Sequence, residues 1–299
     1  MSSSSHVHDI AKSGFGTGTN ELYNTIRPSY QAPALSFIRQ AVDASHALNI
    51  VEWVPCLHDG LIFSNFGLRI GAGTGIFTRA LLAQPEWDSS INEIRAIEPS
   101  EGMRSIFSKT VNDERVSINK GTFDASGIEN GWANLIVVAQ AFHWCPNYEL
   151  AAAEFDRILK PKGTLALIWN LEDRQAFIFC RDGAEWVAQV RERIERHEEG
   201  TPQFRLGLWR QVYNAASYQK AFRAPHEQTW SYNLEATANT VIDRASSKSY
   251  IAVLPPAVKA EVQQDLRRIL ADGEKIWVDK KLGVFEYPYE TLVVIAQKL

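Results

Sequence analysis

The chain has 299 residues, with 31 Lys and Arg against 35 Asp and Glu, for a formal net charge of −4. Its 45% hydrophobic and 22% charged content is that of an ordinary globular chain, with enough apolar sequence for a sizeable core. The weakly acidic balance, with no basic run, argues against nucleic acid as a main partner, and no apolar stretch is long enough for a membrane span.

The opening residues MSSSSHVHDIAKSG have neither a basic nor an apolar signal region, so no secretory leader is expected. Residues 1–20 read as a flexible N-terminus. Cys56, Cys145 and Cys180 show no paired spacing and read as reduced thiols, which points to a cytoplasmic protein. YNTIRPSY (23–30) leads into a helix expected over Ala32–Ala47, and Leu48–Val51 is a strand candidate.

IGAGTGIFTRAL (70–81) places Gly71, Gly73 and Gly75 at alternate positions before a helix expected to run to about Ala83. Such a loop brings bare backbone against a ligand, and the following helix aims free N–H groups at it. A dinucleotide fingerprint needs glycine at position 76, where this chain has Ile, so the loop favours S-adenosylmethionine over NAD.

Glu93–Ile97 reads as a second strand, followed by Glu98-Pro99-Ser100 and a helix to about Lys109. Val116–Asn119 is a third strand. Asn134–Ala139 is a fourth, its unbroken apolar run being that of a strand covered on both faces. A helix over Tyr148–Leu159, a turn at 160–163 and a fifth strand over Thr164–Trp169 complete an alternation that implies a doubly wound, mostly parallel α/β sheet. Beyond Asn170 helices are expected over Gln175–His197, Phe204–Phe222, Leu234–Ser246 and Ala257–Ala271, with strands over Gln228–Tyr232 and Gly283–Lys298.

RPSY (27–30), IGAGTG (70–75), IEPS..M (97–103), AQAFHW (139–144) and ILKPKGTLALIWN (158–170) together resemble class I S-adenosylmethionine-dependent methyltransferases. Within that class they are similar to the small-molecule branch of trans-aconitate methyltransferases and related fungal enzymes. The resemblance covers about residues 20–299. It implies a Rossmann-like domain over 21–299 whose seven-stranded sheet has an antiparallel last strand. Residues 175–225 and 234–272 would form a helical substrate cap, with Trp186, Trp209, Tyr213, Tyr218 and Tyr250 as candidate liners.

The resemblance also implies site roles. The cofactor would meet Gly71, Ala72, Gly73, Thr74 and Gly75. Glu98, with Pro99 and Ser100 beside it, would accept the ribose hydroxyls, and Met103 would pack on the adenine. Thr122 and Phe123, after Gly121, would border the adenine edge, with Asp124 as a candidate acceptor or a turn residue. Gln140 and Ala141 follow the fourth strand. Phe142, His143 and Trp144 would face substrate, as would Arg27 and Tyr30 from the N-terminal segment. His143 reads equally as base, as positioning donor or as structural histidine: a carboxylate acceptor needs no base, a hydroxyl does.

One departure stands out. The acid expected two residues before the first glycine is Arg69. Removing the 17 residues Trp53–Arg69 joins LNIVE to IGAGTG and restores Glu52 at that place. These residues therefore read as an insertion, either a retained intron or a genuine loop. A transcript containing codons 53–69 would exclude the former. Were the loop genuine, either it detours or Phe66–Ile70 takes over as the strand. Asn134 replaces a second acid common in the family.

The expected activity is methyl transfer from S-adenosylmethionine to a small-molecule carboxylate or hydroxyl. The alternative is a methyltransferase fold that no longer methylates, serving as a natural-product cyclase or isomerase or as a binding subunit. No metal is expected.

Overall fold

The computed structural model describes residues 19–42, 47–53, 73–172, 185–198 and 200–299. Five strands run parallel: β1 (Leu48–Trp53), β2 (Ile91–Ile97), β3 (Val116–Asn119), β4 (Ala133–Ala139) and β5 (Leu159–Glu172). β6 (His226–Ala236), β7 (Trp277–Asp279) and β8 (Val284–Gln297) complete an eight-stranded sheet, ordered β3-β2-β1-β4-β5-β8-β6 with β7 paired to β8. β8 is antiparallel to β5 and β6. The α/β doubly wound architecture expected from the alternation is present, with one short strand more than the seven.

Apolar alternation and chain order explain these layers. β4 is buried along nearly its whole length, because helices cover both faces of the sheet. On one face Phe107, Phe155 and Trp209 pack on Val51, Trp53 and Val138. On the other, Leu35, Ile38, Phe77 and Trp87 pack on Ile50, Leu135 and Val137. Truncating the fully buried Phe155 to Ala would cost roughly 3–5 kcal/mol. A third cluster joins helix Glu185–Glu195 to helices Ala238–Ser246 and Pro256–Asp272 through Trp186, Val190, Val241 and Leu266.

Several boundaries differ from the sequence expectations. The first large helix is Ala32–Gln40 and stops well before Ala47. Phe204–Phe222 is not one helix: Gly207 sits at φ 67 between two 3₁₀ segments, and only Ala216–Ala221 is α-helical. Leu234–Ala236 continue β6, paired with Tyr287–Phe285, so the helix begins at Ala238 behind a Thr237 capping box. Residues 175–184 of the helix expected over Gln175–His197, and Cys56 and Cys180, lie outside the described residues; Cys145 is buried as a free thiol.

The suspected insertion is resolved in part. Leu48–Trp53 fills the sheet position between β2 and β4, pairing Glu52 with Ala96 and Val137. Phe66–Ile70, the other candidate for that strand, lies outside the described residues. Trp53 itself ends β1, fully buried opposite Ile97 and Val138, so β1 runs one residue into the suspected insertion. Asn134, in place of an acid, accepts from the Asn49 backbone N–H (3.1 Å) and from Lys160 (2.8 Å). No helix among the described residues is long and apolar enough to cross a membrane.

Candidate active site

Strand order reverses between β1 and β4, and the crevice beyond their carboxyl ends is where open α/β sheets bind ligands. A cavity lies there, walled by residues of both strands, the glycine turn, the RPSY segment and the helices after β6.

The turn is built for close approach. Gly73 and Gly75 have φ of 61° and 79°. A Cβ on Gly75 would stand 2.5 Å from Val111 Cγ2, so a side chain is excluded there by packing as well as by backbone conformation. Arg79 braces the turn, donating to the Thr74 carbonyl (2.6 Å) and to Asn24 Oδ1 (2.8 Å) of the N-terminal helix Thr19–Ile26. Gly71 and Ala72 lie outside the described residues.

Glu98 is fully buried behind this turn. Its Oε2 accepts from Gly73 N–H (3.2 Å) and its Oε1 from Ser100 N–H (2.6 Å). Burial pushes its carboxyl well above the usual range, with the two N–H bonds opposing. A carboxylate has about four acceptor positions, so two remain. Ser100 caps helix Glu101–Thr110 through a bond from Met103 N–H, and the Pro99 carbonyl accepts from Arg104. Met103, at the end of that capped turn, reaches the cavity wall.

The wall has two electrically distinct ends. At one stand Gly73, Thr74 and Glu52. Glu52 is buried and accepts from the Thr78 hydroxyl; desolvation pushes its carboxyl up to about 7. The Thr74 hydroxyl is buried with no hydrogen-bond partner among the described residues.

At the other end stand Arg27, Arg244 and Lys248 around one carboxylate, Glu172. Glu172 pairs with Arg244 (3.3 Å) and Lys248 (3.0 Å). Burial alone would raise the Glu172 carboxyl, but Lys248, Arg244 and Arg27 outweigh it and hold the group below its ordinary range. Arg27 donates to the Ser247 carbonyl (3.1 Å) and lies over the Tyr23 ring (4.5 Å). Burial and Arg244 both lower its affinity for its proton.

Tyr30, Gln140, His143 and Trp144 also line the cavity, Gln140 following β4, the strand between β1 and β5. Gln140 has φ 59, rare for a non-glycine residue, and is pinned by bonds from its amide to the Ile168 carbonyl and from its side chain to the Asn170 carbonyl. Asn170 in turn donates to the Pro28 (3.3 Å) and Ser29 (3.1 Å) carbonyls, docking RPSY over the sheet edge. His143 Nδ1 accepts from the Trp169 indole N–H at 3.2 Å. Burial, and then Arg27, lower its pKa to about 3. The neutral ring thus carries its proton on Nε2, and its one lone pair is already occupied. With Nδ1 taken by Trp169, His143 as placed here offers the cavity a donor.

Several expected site residues are elsewhere. Phe123 stacks on Trp53 (5.9 Å) and meets Phe142 edge-on (5.6 Å), and both phenylalanines are core, as is Ala141. Thr122 donates to Asp124 (2.7 Å) within a turn closed by bonds to Ala125, and neither residue lines the cavity. Of the aromatic cap liners only Tyr250 reaches the cavity. Trp209 and Tyr218 are in the central core with Tyr213 packed on it, and Trp186 is in the cap core. Conversely, sequence reasoning missed Glu172, Arg244, Lys248 and Gln203, which lie on or after the fifth strand in segments read as charged or apolar helix and loop.

Residues 68–167 match the family model described as a methyltransferase domain. The chain is 26% identical over 232 residues to an uncharacterized methyltransferase-like protein of Schizosaccharomyces pombe, covering 77% of this chain and 82% of that one. It is 30% identical over 155 residues to a protein of Saccharomyces cerevisiae named as a probable S-adenosylmethionine-dependent methyltransferase, covering 50% and 45%. Among solved structures, the YcgJ protein of Bacillus subtilis aligns with a TM-score of 0.52 at 14% identity, over 90% of this chain and 99% of that one, a likeness of fold.

Proposed function

We propose that this chain, whose residues 68–167 match a methyltransferase domain, uses S-adenosylmethionine to methylate a carboxylate oxygen of a small acidic molecule. The methyl donor is the one that the family implies, and the residues present fit it. A buried carboxylate (Glu52) and an orphaned hydroxyl (Thr74) on the cavity wall suit an ammonium and its neighbours, while Glu98, behind that wall, holds the Gly73 N–H of the bare glycine turn. Glu52, Gly73, Thr74, Met103 and Gln140 would hold the donor. When bound, it supplies an activated methyl on a sulfonium, which leaves as a thioether on in-line attack.

The observation that carries the acceptor class is the excess of buried positive charge: Arg27, Arg244 and Lys248 face one carboxylate. Unpaired buried cations are costly, and an anionic ligand offsets them. The state of His143 supports a carboxylate over a hydroxyl. A hydroxyl must lose a proton during attack, and the imidazole on the cavity wall has no free lone pair to take it. A carboxylate needs no base, only alignment and exclusion of water. His143 Nε2–H serves as a donor to the acceptor, and Tyr30 and Trp144 close the apolar part of the wall.

The test is incubation with labelled S-adenosylmethionine and a panel of small carboxylic acids and phenols, read by product mass. Acids that gain one methylene as methyl esters support the reading. Methylation of phenols alone would overturn the acceptor class, and transfer to neither would overturn the activity proposed.

A further inference from the structure

A second hollow lies at the opposite pole of the sheet from the crevice described above. It has a volume of about 320 Å³ and is walled by Phe37, Gln40, Arg223, His226, Ile295 and Gln297. Ile295 and Gln297 of β8 pair with Ala166 and Thr164 of β5, and Thr164 pairs with Leu135 near the start of β4. The hollow therefore sits toward the amino edge of the parallel strands, whereas the crevice opens at their carboxyl edge. Helix Ala32–Gln40 runs between the two: it follows RPSY after a single residue, and its last turn supplies Phe37 and Gln40.

The wall combines an apolar part with a cationic one, as small-molecule sites of this size do. Ile295 is buried, and Phe37 meets His226 and Trp230 edge to face, each with ring centroids 5.3 Å apart. A flat ring entering the hollow extends that row by the same kind of contact. Arg223 is permanently charged, and its guanidinium has no hydrogen-bond or ion-pair partner among the described residues. His226 adds a ring donor, and no wall residue is acidic, although the chain as a whole is. Gln297 is fixed against the helix end by donating to the Ala41 carbonyl (3.3 Å). We propose that this hollow is a second ligand site, separate from the cofactor crevice, for a small aromatic carboxylate. The guanidinium fork of Arg223 takes the two carboxylate oxygens, and the ring lies against Phe37 and Ile295. A neutral ring would leave Arg223 without its anion, and an acid without a ring would leave the apolar wall wet. The assignment is independent of the methylation reading.

The test follows Trp230, whose indole stands beside Phe37 and outside the crevice, so that acids bound among the active-site cations do not register. Its indole N–H signal, assigned in spectra of the isotope-labelled whole chain by its loss in Trp230→Phe, is recorded during titration with naphthoate, naphthylmethanol and acetate. Naphthoate is expected to shift the signal saturably, with the alcohol and acetate binding about tenfold or more weaker. Arg223→Gln, a change at an exposed position, weakens naphthoate about tenfold, whereas Lys248→Met at the active-site end leaves it within about twofold. A Trp230 signal that does not move with naphthoate in the wild type overturns the site. So does equal binding of naphthylmethanol or acetate, which would make the hollow merely apolar or merely charged. Undiminished naphthoate binding in Arg223→Gln, or loss of it in a folded Lys248→Met, overturns the assignment of Arg223 as the carboxylate holder.

Discussion

Replacing Glu52 with Gln separates what this residue does to the empty fold from what it does for a cationic ligand. The Glu52 carboxyl is raised from 4.5 to about 7 by burial. An acid whose folded value is raised contributes its full stability below its unfolded value and loses it as pH rises through the folded one. At about 1.4 kcal/mol per tenfold in proton affinity, ionised Glu52 destabilises the ligand-free fold by about 3 kcal/mol at pH 8 relative to pH 4. Gln has no such proton, and it keeps an acceptor for the Thr78 hydroxyl. Ligand-free Glu52→Gln should therefore melt close to the wild type at pH 5 and several degrees above it at pH 8. With S-adenosylmethionine present the gap at pH 8 narrows, since the ionised carboxylate gains an ammonium partner; affinity for the cofactor should fall about tenfold in the variant, which takes about 1.4 kcal/mol off the gap at saturating ligand. Thermal melts with and without ligand, at both pH values, give all four comparisons. A melting difference between the two proteins that is the same at pH 5 and pH 8 would refute the assignment of a buried, uncompensated carboxylate.

Three further outcomes follow from the same geometry. His143→Asn keeps an acceptor for the Trp169 indole but lacks the Nε2–H, so it should lower kcat/KM about tenfold and leave the shape of the pH–rate profile between pH 6 and 9 unchanged; loss of an inflection in the variant would restore the base role. Asn170→Ala removes the bonds to the Pro28 and Ser29 carbonyls, which should cost roughly 1–3 kcal/mol in denaturant melts and raise KM for the acceptor through loosened RPSY. Gly75→Ala forces a side chain into positive φ and against Val111, for roughly 2–5 kcal/mol of destabilisation by the same melts.

The parallel half of the sheet was legible because each of its strands is an apolar run between a turn and an amphipathic helix. The glycine turn was legible because G-x-G-x-G has few uses at a strand end, and Glu98 does stand within hydrogen-bond reach of Gly73. Deleting the odd stretch from the text joins Glu52 to the glycine turn, and in the fold β1 runs one residue into that stretch, to Trp53. The acceptor end was not legible. Arg244 and Lys248 sit in the stretch 234–272 expected as substrate cap, where the sequence reading singled out only an aromatic residue, Tyr250. Only the fold, by running β6 on through Leu234–Ala236 and starting the helix at Ala238, turns them toward Glu172, more than 70 residues away in the chain. Phe123 and Phe142 followed family position in the sequence, yet their own contacts with Trp53 and Phe155 make them core.

The central claim is that one pocket between β1 and β4 takes an adenosyl cofactor by its Glu52 end. Calorimetric titration of the whole chain with S-adenosylmethionine at pH 8 tests it most directly. A saturable single-site heat is expected, and Glu52→Gln weakens it. A wild-type chain that is folded by its melting transition and yet gives no saturable heat would contradict it.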